Sequence, residues 1–341
     1  MVTNTELEKL IELAARAPSG HNSQPWKFKV TEDEIEVYPD YDYKLPVVDP
    51  SHRELYISLG CAAENICVAA PSFGYIANRS ICMDRGGEYS IKVELKKVKS
   101  VTEDSVVKTI RERQSNRNQY SGEKIEEEEI DQLKSVELEE NINIHFYEKY
   151  SEEFNTIENY ILQGNEIQMN DAKFKDELIS WIRFNETHVY KTNNGLSYKV
   201  MGSPSMPKFI GKMIVKSFLT PDKQNKSDKE KVKSSSHFVL LSSKGNTADE
   251  WISLGLSLER VLLKLTELGI ANAYLNPPCE IESLSNELRS SLQIGNEYPA
   301  IIMRIGYGEK TPYSPRRSAE QVMINSLEVV SQKNQKQKIG A

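Results

Sequence analysis

Ala17-Pro18-Ser19-Gly20-His21-Asn22-Ser23-Gln24-Pro25-Trp26 is the stretch on which the reading of this chain turns. Before it, Leu7, Leu10, Ile11, Ala14 and Ala15 recur at helical spacing and predict a helix over 5–16. After it, Trp26-Lys27-Phe28-Lys29-Val30 alternates apolar and polar residues and reads as a strand. Pro18 stops the helix, because the residue before a proline is pushed out of the α region. Ser19, Gly20, Asn22 and Ser23 then offer short side chains or bare backbone at close range. Pro-Ser-Gly alone would be an ordinary capped connection; Asn-Ser-Gln-Pro-Trp between a helix and a strand is a more specific signal.

Working outward, the strand at 27–30 is expected to pair with 34–38 across a turn at 31–33. A long helix follows at about 52–73. Its stripe of Leu55, Leu59, Ala62, Ala63, Ile66, Ala69 and Ala70 includes small residues that let a second helix approach closely, and Gly74 closes it. A strand is expected at 90–95. The same order returns later as a strand at 237–241, a helix at 251–269 and a strand at 300–305. Glu54-Leu55-Tyr56-Ile57-Ser58-Leu59-Gly60 also parallels Glu250-Trp251-Ile252-Ser253-Leu254-Gly255, a weak internal repeat. The fold class expected is α+β: two halves, each with a mixed, mainly antiparallel sheet packed on helices, with the two long helices at the interface between them.

The 341 residues are 38% hydrophobic, enough for a substantial core. A net charge of -7 argues against a protein built as a whole to bind nucleic acid or an anionic membrane, so any cationic patch must be local. Cys61, Cys67, Cys82 and Cys279 show no metal-ligand spacing and read as reduced, mostly buried thiols. The five histidines are scattered, and no metal site is expected. Neither a secretory leader nor a membrane span is read, so the expected address is cytoplasmic. No Gly-rich dinucleotide fingerprint or P-loop is present, so a nicotinamide would have no domain of its own.

The first loop resembles the flavin-binding loop of the FMN-dependent nitroreductase superfamily. The resemblance implies FMN contacts from Pro18, Ser19, Gly20, His21, Asn22 and Gln24. Arg113-Gln114-Ser115-Asn116-Arg117 is similar to the family's Arg-x-Ser-x-Arg element, with one residue more than usual before Tyr120. Guanidinium forks and a hydroxyl suit a phosphate dianion, and Arg117 is also the candidate cation beside the flavin N1 edge. Tyr298 to Gly308, followed by Ser314-Pro315-Arg316-Arg317, resembles the family's last core strand, its Gly-rich exit and a basic pair returning to the phosphate, through Arg316 or Arg317. A backbone N–H of Leu275-Asn276-Pro277-Pro278-Cys279 would face flavin N5; prolines have none to donate, leaving Asn276 or Cys279, and no residue is assigned as certainly catalytic.

The loop appears only in the first half and the arginine element only in the second. The chain is therefore expected to fold as an intramolecular pseudo-dimer with a flavin site between halves 1–105 and 106–320, and a tail at 321–341 that is disordered beyond about residue 327. This resembles the single-chain Acg-like subgroup, in which an insertion covers the flavin. Here the insertion is placed at about 165–235 on Trp181-Ile182-Arg183, Asn194-Gly195-Leu196 and Gly202, with Asn194 where an acid is usual. Residues 198–233 read as a mobile lid and then a solvated, Lys-rich linker. The implied activity is transfer of a hydride from NAD(P)H through FMN N5 to a nitroaromatic, a quinone or a related small acceptor. The alternative is an FMN-sequestering protein with little turnover. The expected partners are a small-molecule electron acceptor, no nucleic acid and no membrane, with the chain a monomeric pseudo-dimer or part of a further homodimer.

Overall fold

The structure, a computed structural model, describes residues 4–31, 33–98 and 105–324. It opens with helix α1 (Asn4–Ala14), whose Leu7, Leu10, Ile11 and Ala14 are buried as their spacing predicts. The loop leads into β1 (Trp26–Val30) and β2 (Glu34–Pro39), paired antiparallel. Helix α2 (Arg53–Ala69) runs as expected up to Pro71, which has no N–H to continue the α pattern, and it tightens into a 3-10 turn over Ala70–Phe73. Gly74, at φ 78°, ends it. Strand β3 (Tyr75–Met83), which the sequence pattern did not reveal, pairs along its length with β4 (Tyr89–Lys97). Its Asn78-Arg79-Ser80 centre hides the alternation.

The chain continues with α3 (Ser105–Glu112), α4 (Glu127–Lys134), β5 (Ile142–Glu148) and α5 (Glu152–Asn170). The covering segment comprises α6 (Ala172–Trp181), β6 (Ile182–Arg183), α7 (Glu186–Thr192), β7 (Leu196–Ser197) and α8 (Lys208–Phe218). Then follow α9 (Pro221–Lys233), β8 (His237–Ser243), α10 (Ala248–Glu267), β9 (Ala271–Tyr274), α11 (Pro277–Glu280), α12 (Glu282–Ser291), β10 (Tyr298–Gly306) and α13 (Ala319–Val322).

Two four-stranded sheets result, ordered β1-β2-β4-β3 and β5-β8-β10-β9, with antiparallel pairing throughout. The first sheet buries one face, hence the alternation in β1 and β2. The second is covered on both. Val239, Leu241, Met303 and Ile305 face the main core, while Phe238, Leu240 and Ile302 pack with Phe154, Ile157 and Ile161 of α5 and Leu288 of α12. This explains why β8 is buried at every position and reads as a continuous apolar run.

Helices α2 and α10 cross at the centre, and glycines set their separation. A Cβ on Gly60 would lie 2.2 Å from the Ile252 carbonyl oxygen, and one on Gly255 2.0 Å from that of Ile57. The Cys61 thiol donates to the Gly255 carbonyl at 3.1 Å. The main core joins both sheets through this crossing.

One expectation is corrected. The Lys-rich stretch is no solvated linker but helix α9, docked on α5 through buried Val232 and Asp228, the latter accepting from Asn165 at 2.9 Å. The chain after 320 begins as docked structure: Val322 is buried, Met323 bridges Phe28, and the Ile324 amide donates to the Phe28 carbonyl at 2.8 Å. The C-terminal segment thus returns to the first sheet. The disorder expected beyond residue 327 lies outside the described residues.

Candidate functional site

The opening loop carries three non-glycine residues in the left-handed region: His21 (φ 51°), Asn22 (φ 54°) and Gln24 (φ 58°). Such conformations persist only where surrounding bonds impose them. Here Asn22 donates through Nδ2 to the carbonyls of Gly195 and Pro315, both at 3.0 Å, and its Oδ1 accepts from Arg316 at 2.7 Å. Gln24 donates to the Asn193 carbonyl at 2.9 Å and accepts from the Arg317 amide at 2.8 Å. The loop is thereby locked to the covering segment on one side and the C-terminal segment on the other.

Two adjoining cavities meet at this loop, sharing Pro18, Ser19, Arg117 and Tyr274. The larger, about 270 Å³, runs between α2, the covering segment and α11. Ile57, Met169, Phe174, Leu178, Leu258 and Ile301 form its apolar wall, and Gly20, His21, Asn276 and Pro277 also line it. The smaller, about 60 Å³, is walled by Arg16, Arg113, Arg117 and Arg316 with Ser19, Asn22 and Ser115.

The arginines are positioned by backbone. Arg113 donates to the Arg16 carbonyl at 2.5 Å, and Arg316 to the same carbonyl at 3.2 Å and to that of Ala17 at 3.4 Å. The Arg117 loop is held by Arg304, fully buried on β10, which donates to the carbonyls of Asn118 at 2.7 Å and Asn116 at 3.3 Å and lies 4.0 Å over the Tyr120 ring. Gly306 serves that ring: a Cβ there would lie 2.8 Å from Tyr120. The glycine exit therefore accommodates an aromatic ring of this chain.

Charge is unbalanced in the smaller cavity. Its nearest buried carboxylate is Glu259, whose Oε1 lies 3.4 Å from Arg113 Nε. Burial pushes the Glu259 carboxyl up to about 7 despite that neighbour. Burial and the neighbouring Arg113 and Arg16 push the Arg316 guanidinium down to about 9, and burial also lowers Arg117. Among the described residues no carboxylate pairs with Arg117 or Arg316. Arg316 Nε, His21 Nε2 and the Tyr274 hydroxyl are buried without a hydrogen-bond partner.

Glu54 and Glu280 also line the larger cavity, Glu54 beside the loop, where a Cβ on Gly20 would lie 2.7 Å from its Oε2. Asn276 donates to Glu54 at 3.1 Å and Gln168 to Glu280 at 2.5 Å. Burial, then mutual repulsion, holds Glu54 well above the usual carboxylate range, and burial raises Glu280. His21 on the same wall is pushed down to about 4 by burial and by Arg117, so it is neutral.

The expected contact set divides. Pro18, Ser19, Gly20, His21, Arg117, Asn276 and Pro277 line the larger cavity, and Asn22, Arg113, Ser115 and Arg316 the smaller. Gln24 lines neither, because both ends of its amide are spent on the two clamping segments. Arg317 also lines neither. It turns away to the Gln24 carbonyl at 3.1 Å and buried Asp40 at 3.5 Å, over the Tyr43 ring. Of the basic pair, Arg316 faces the cavity. Cys279 is withdrawn too: its amide donates to the Asn276 carbonyl at 2.9 Å, and burial pushes its thiol up to about 12. Arg16, Glu54, Glu259 and Glu280 escaped the sequence reading, since isolated charges on helices look like solvated surface. No cluster of metal-ligand side chains occurs among the described residues.

In the covering segment, β6 pairs parallel with β7. Arg183 is buried between them, donating to Asn194 Oδ1 at 2.7 Å and the Ser180 carbonyl at 2.7 Å. With Asn194 in place of an acid, no carboxylate among the described residues pairs with it, and burial pushes Arg183 down to about 10.

Residues 1–47 match the Nitroreductase family model. Over 332 residues, 95% of this chain and 92% of the relative, the chain is 24% identical to the Mycobacterium tuberculosis (strain H37Rv) protein named "Putative NAD(P)H nitroreductase Rv3131". Over 78 residues, 23% of this chain and 24% of the relative, it is 36% identical to that organism's "Putative NAD(P)H nitroreductase acg". Among solved structures, the FMN-dependent nitroreductase NfnB of Mycobacterium smegmatis in complex with NADPH is matched at TM-score 0.42 and 10% identity, over 64% of this chain and 97% of that one. An iodotyrosine deiodinase bound to FMN and 3-iodo-L-tyrosine is matched at TM-score 0.42 and 14% identity, over 65% and 98%. The chain is thus similar to nitroreductases in two respects, a family-model match within its first 47 residues and an end-to-end likeness to a mycobacterial protein that bears the nitroreductase name.

Proposed function

We propose that this chain is an FMN-dependent oxidoreductase that draws electrons from NAD(P)H and passes them to a small acceptor, a nitroaromatic or a quinone. The observation that carries the reading is the junction of an apolar cavity with an arginine-walled one that lacks enough carboxylate to balance it. FMN has that division, a flat apolar ring and a phosphate dianion. The unpartnered Arg316 Nε, Tyr274 hydroxyl and His21 Nε2 fit polar groups of such a ligand. Arg113, Arg117, Arg316, Arg16, Ser19 and Ser115 would hold the phosphate end; Ile57, Leu258, Ile301, Asn276 and Pro277 would border the ring. When bound, FMN supplies the two-electron step at N5. The protein's part is to keep water off the apolar wall, to set a cation, Arg117, where negative charge accumulates, and to hold a proton on the Glu54–Glu280 pair for the acceptor. The halves 1–105 and 106–320, related as a pseudo-dimer across the α2–α10 crossing, would bring the loop of one and the arginines of the other to a shared site.

One observation favours the sequestering alternative. The covering segment is tied shut on the loop: Gly195 donates to the Asn22 carbonyl at 3.0 Å, and Asn22 and Gln24 donate back to Gly195 and Asn193. The test is the visible spectrum of the FMN-loaded protein under anaerobic NADPH and then NADH. Flavin bands that bleach on mixing support the oxidoreductase; bands that persist support sequestration. Failure to retain FMN at all overturns both.

A further inference from the structure

Helix α8 carries large apolar side chains outward. Phe209 is 72% exposed, Met213 68% and Phe218 60%, with Ile214 at 40%. The helix is anchored on its other side, where Gly211 lies against Phe184 and Val215 packs on the Ile179, Ile182 and Phe184 cluster. Phe209 and Met213 are four residues apart, as are Ile214 and Phe218, so the exposed residues make a broad arc rather than scattered points. Lys208, Lys212 and Lys216, also spaced by four, run along one flank, and Lys223 Nζ sits 4.2 Å over the Phe218 ring. Among the described residues no carboxylate pairs with Lys208, Lys212 or Lys216. In a chain of net charge -7, this is a local cationic and apolar face.

We propose that α8 docks the protein on an anionic lipid bilayer, with Phe209 and Met213 entering the headgroup boundary and the lysine row on the lipid phosphates. Two features select a bilayer over a second copy of this chain. A twofold contact with two copies of α8 antiparallel would oppose the lysine row to itself. A chain of net charge -7 is repelled as a whole by anionic lipid, so its approach must be through a locally cationic face, and this one joins lysines to exposed apolar side chains. The helix packs on α6, which carries Phe174 and Leu178 into the larger cavity, so docking engages the cover of the site. The proposal does not depend on flavin binding.

The test is co-sedimentation of the full-length protein with vesicles of phosphatidylglycerol and phosphatidylcholine, against phosphatidylcholine alone. Binding is expected only to the mixed vesicles and is expected to weaken with added salt. Lys208→Ala with Lys212→Ala and Lys216→Ala should lower partitioning by about a hundred-fold, at roughly five-fold for each lysine near an anionic surface. Phe209→Ser with Met213→Ser should abolish it while thermal unfolding stays unchanged. No binding of the wild-type protein, equal binding of the serine variant, or a dimer that the serine variant converts to monomer without vesicles would each overturn the proposal.

Discussion

At the scale of single residues, function rests on which arginines face the cavity. Arg316 and Arg317 are neighbours in sequence with opposite duties: Arg316 closes the cationic cavity, and Arg317 neutralises buried Asp40. Arg316→Ala should weaken FMN binding roughly ten- to a hundred-fold, the worth of one charged hydrogen-bonding group, with the fold intact by circular dichroism. Arg317→Ala should leave FMN affinity unchanged and cost about 2 kcal/mol of stability in urea, since Asp40 keeps Lys27 at 3.3 Å as a partner. Equal flavin loss in both variants would contradict the assignment. His21 gives a pH signature. Its pKa falls from 6.5 to about 4 on folding, so the unfolded chain binds more protons between those values. The stability it contributes is complete above pH 6.5 and is lost as pH falls, at roughly 1.4 kcal/mol per pH unit at most. Apo-protein with His21→Gln should therefore lose less stability than wild type between pH 6.5 and 5 in urea titrations.

At the scale of elements, the crossing of α2 and α10 is the tightest constraint. A methyl group on Gly60 or Gly255 would overlap backbone of the facing helix, which neither rotamers nor side-chain shifts can relieve. Gly60→Ala or Gly255→Ala should cost about 3 kcal/mol or more, read as a lowered urea midpoint. The stripe of small residues on the α2 segment announced a close helix partner, and the sequence reading set the helix at 251–269 beside it; that Gly60 and Gly255 meet at the crossing followed only from the fold. Likewise, the helix-to-strand context of the first loop was legible because Pro18 and the alternation of β1 act locally. The helical state of α9 was not: its lysines look solvated along the chain, and only contact with α5 makes Asp228 and Val232 interior residues.

For the whole molecule, the main core passes through both sheets and the α2–α10 crossing, and the C-terminal segment returns from the second half to β1. The two sheets therefore stabilise one another. Thermal unfolding of the intact protein should be a single transition, followed by far-UV circular dichroism and tryptophan fluorescence together; two separated transitions would show independent domains. Residues 1–105 expressed alone should fail to give a cooperative transition, because the apolar face of α2 would be left in water.

The sequence by itself determined the α+β class, the loop at 17–26 and the Arg113–Arg117 element, since these depend on spacing of a few residues and on local backbone restraint. Tertiary structure alone decided which charges share a cavity. Arg16, Arg113, Arg117 and Arg316 come from three places in the chain, as Glu54 and Glu280 come from two, and the titration of Arg316 and Glu54 is governed by burial and by neighbours distant in sequence. Spacing along a chain carries no information about desolvation. That physical gap is why Gln24, Arg317 and Cys279 looked like ligand contacts in the sequence and are structural in the fold.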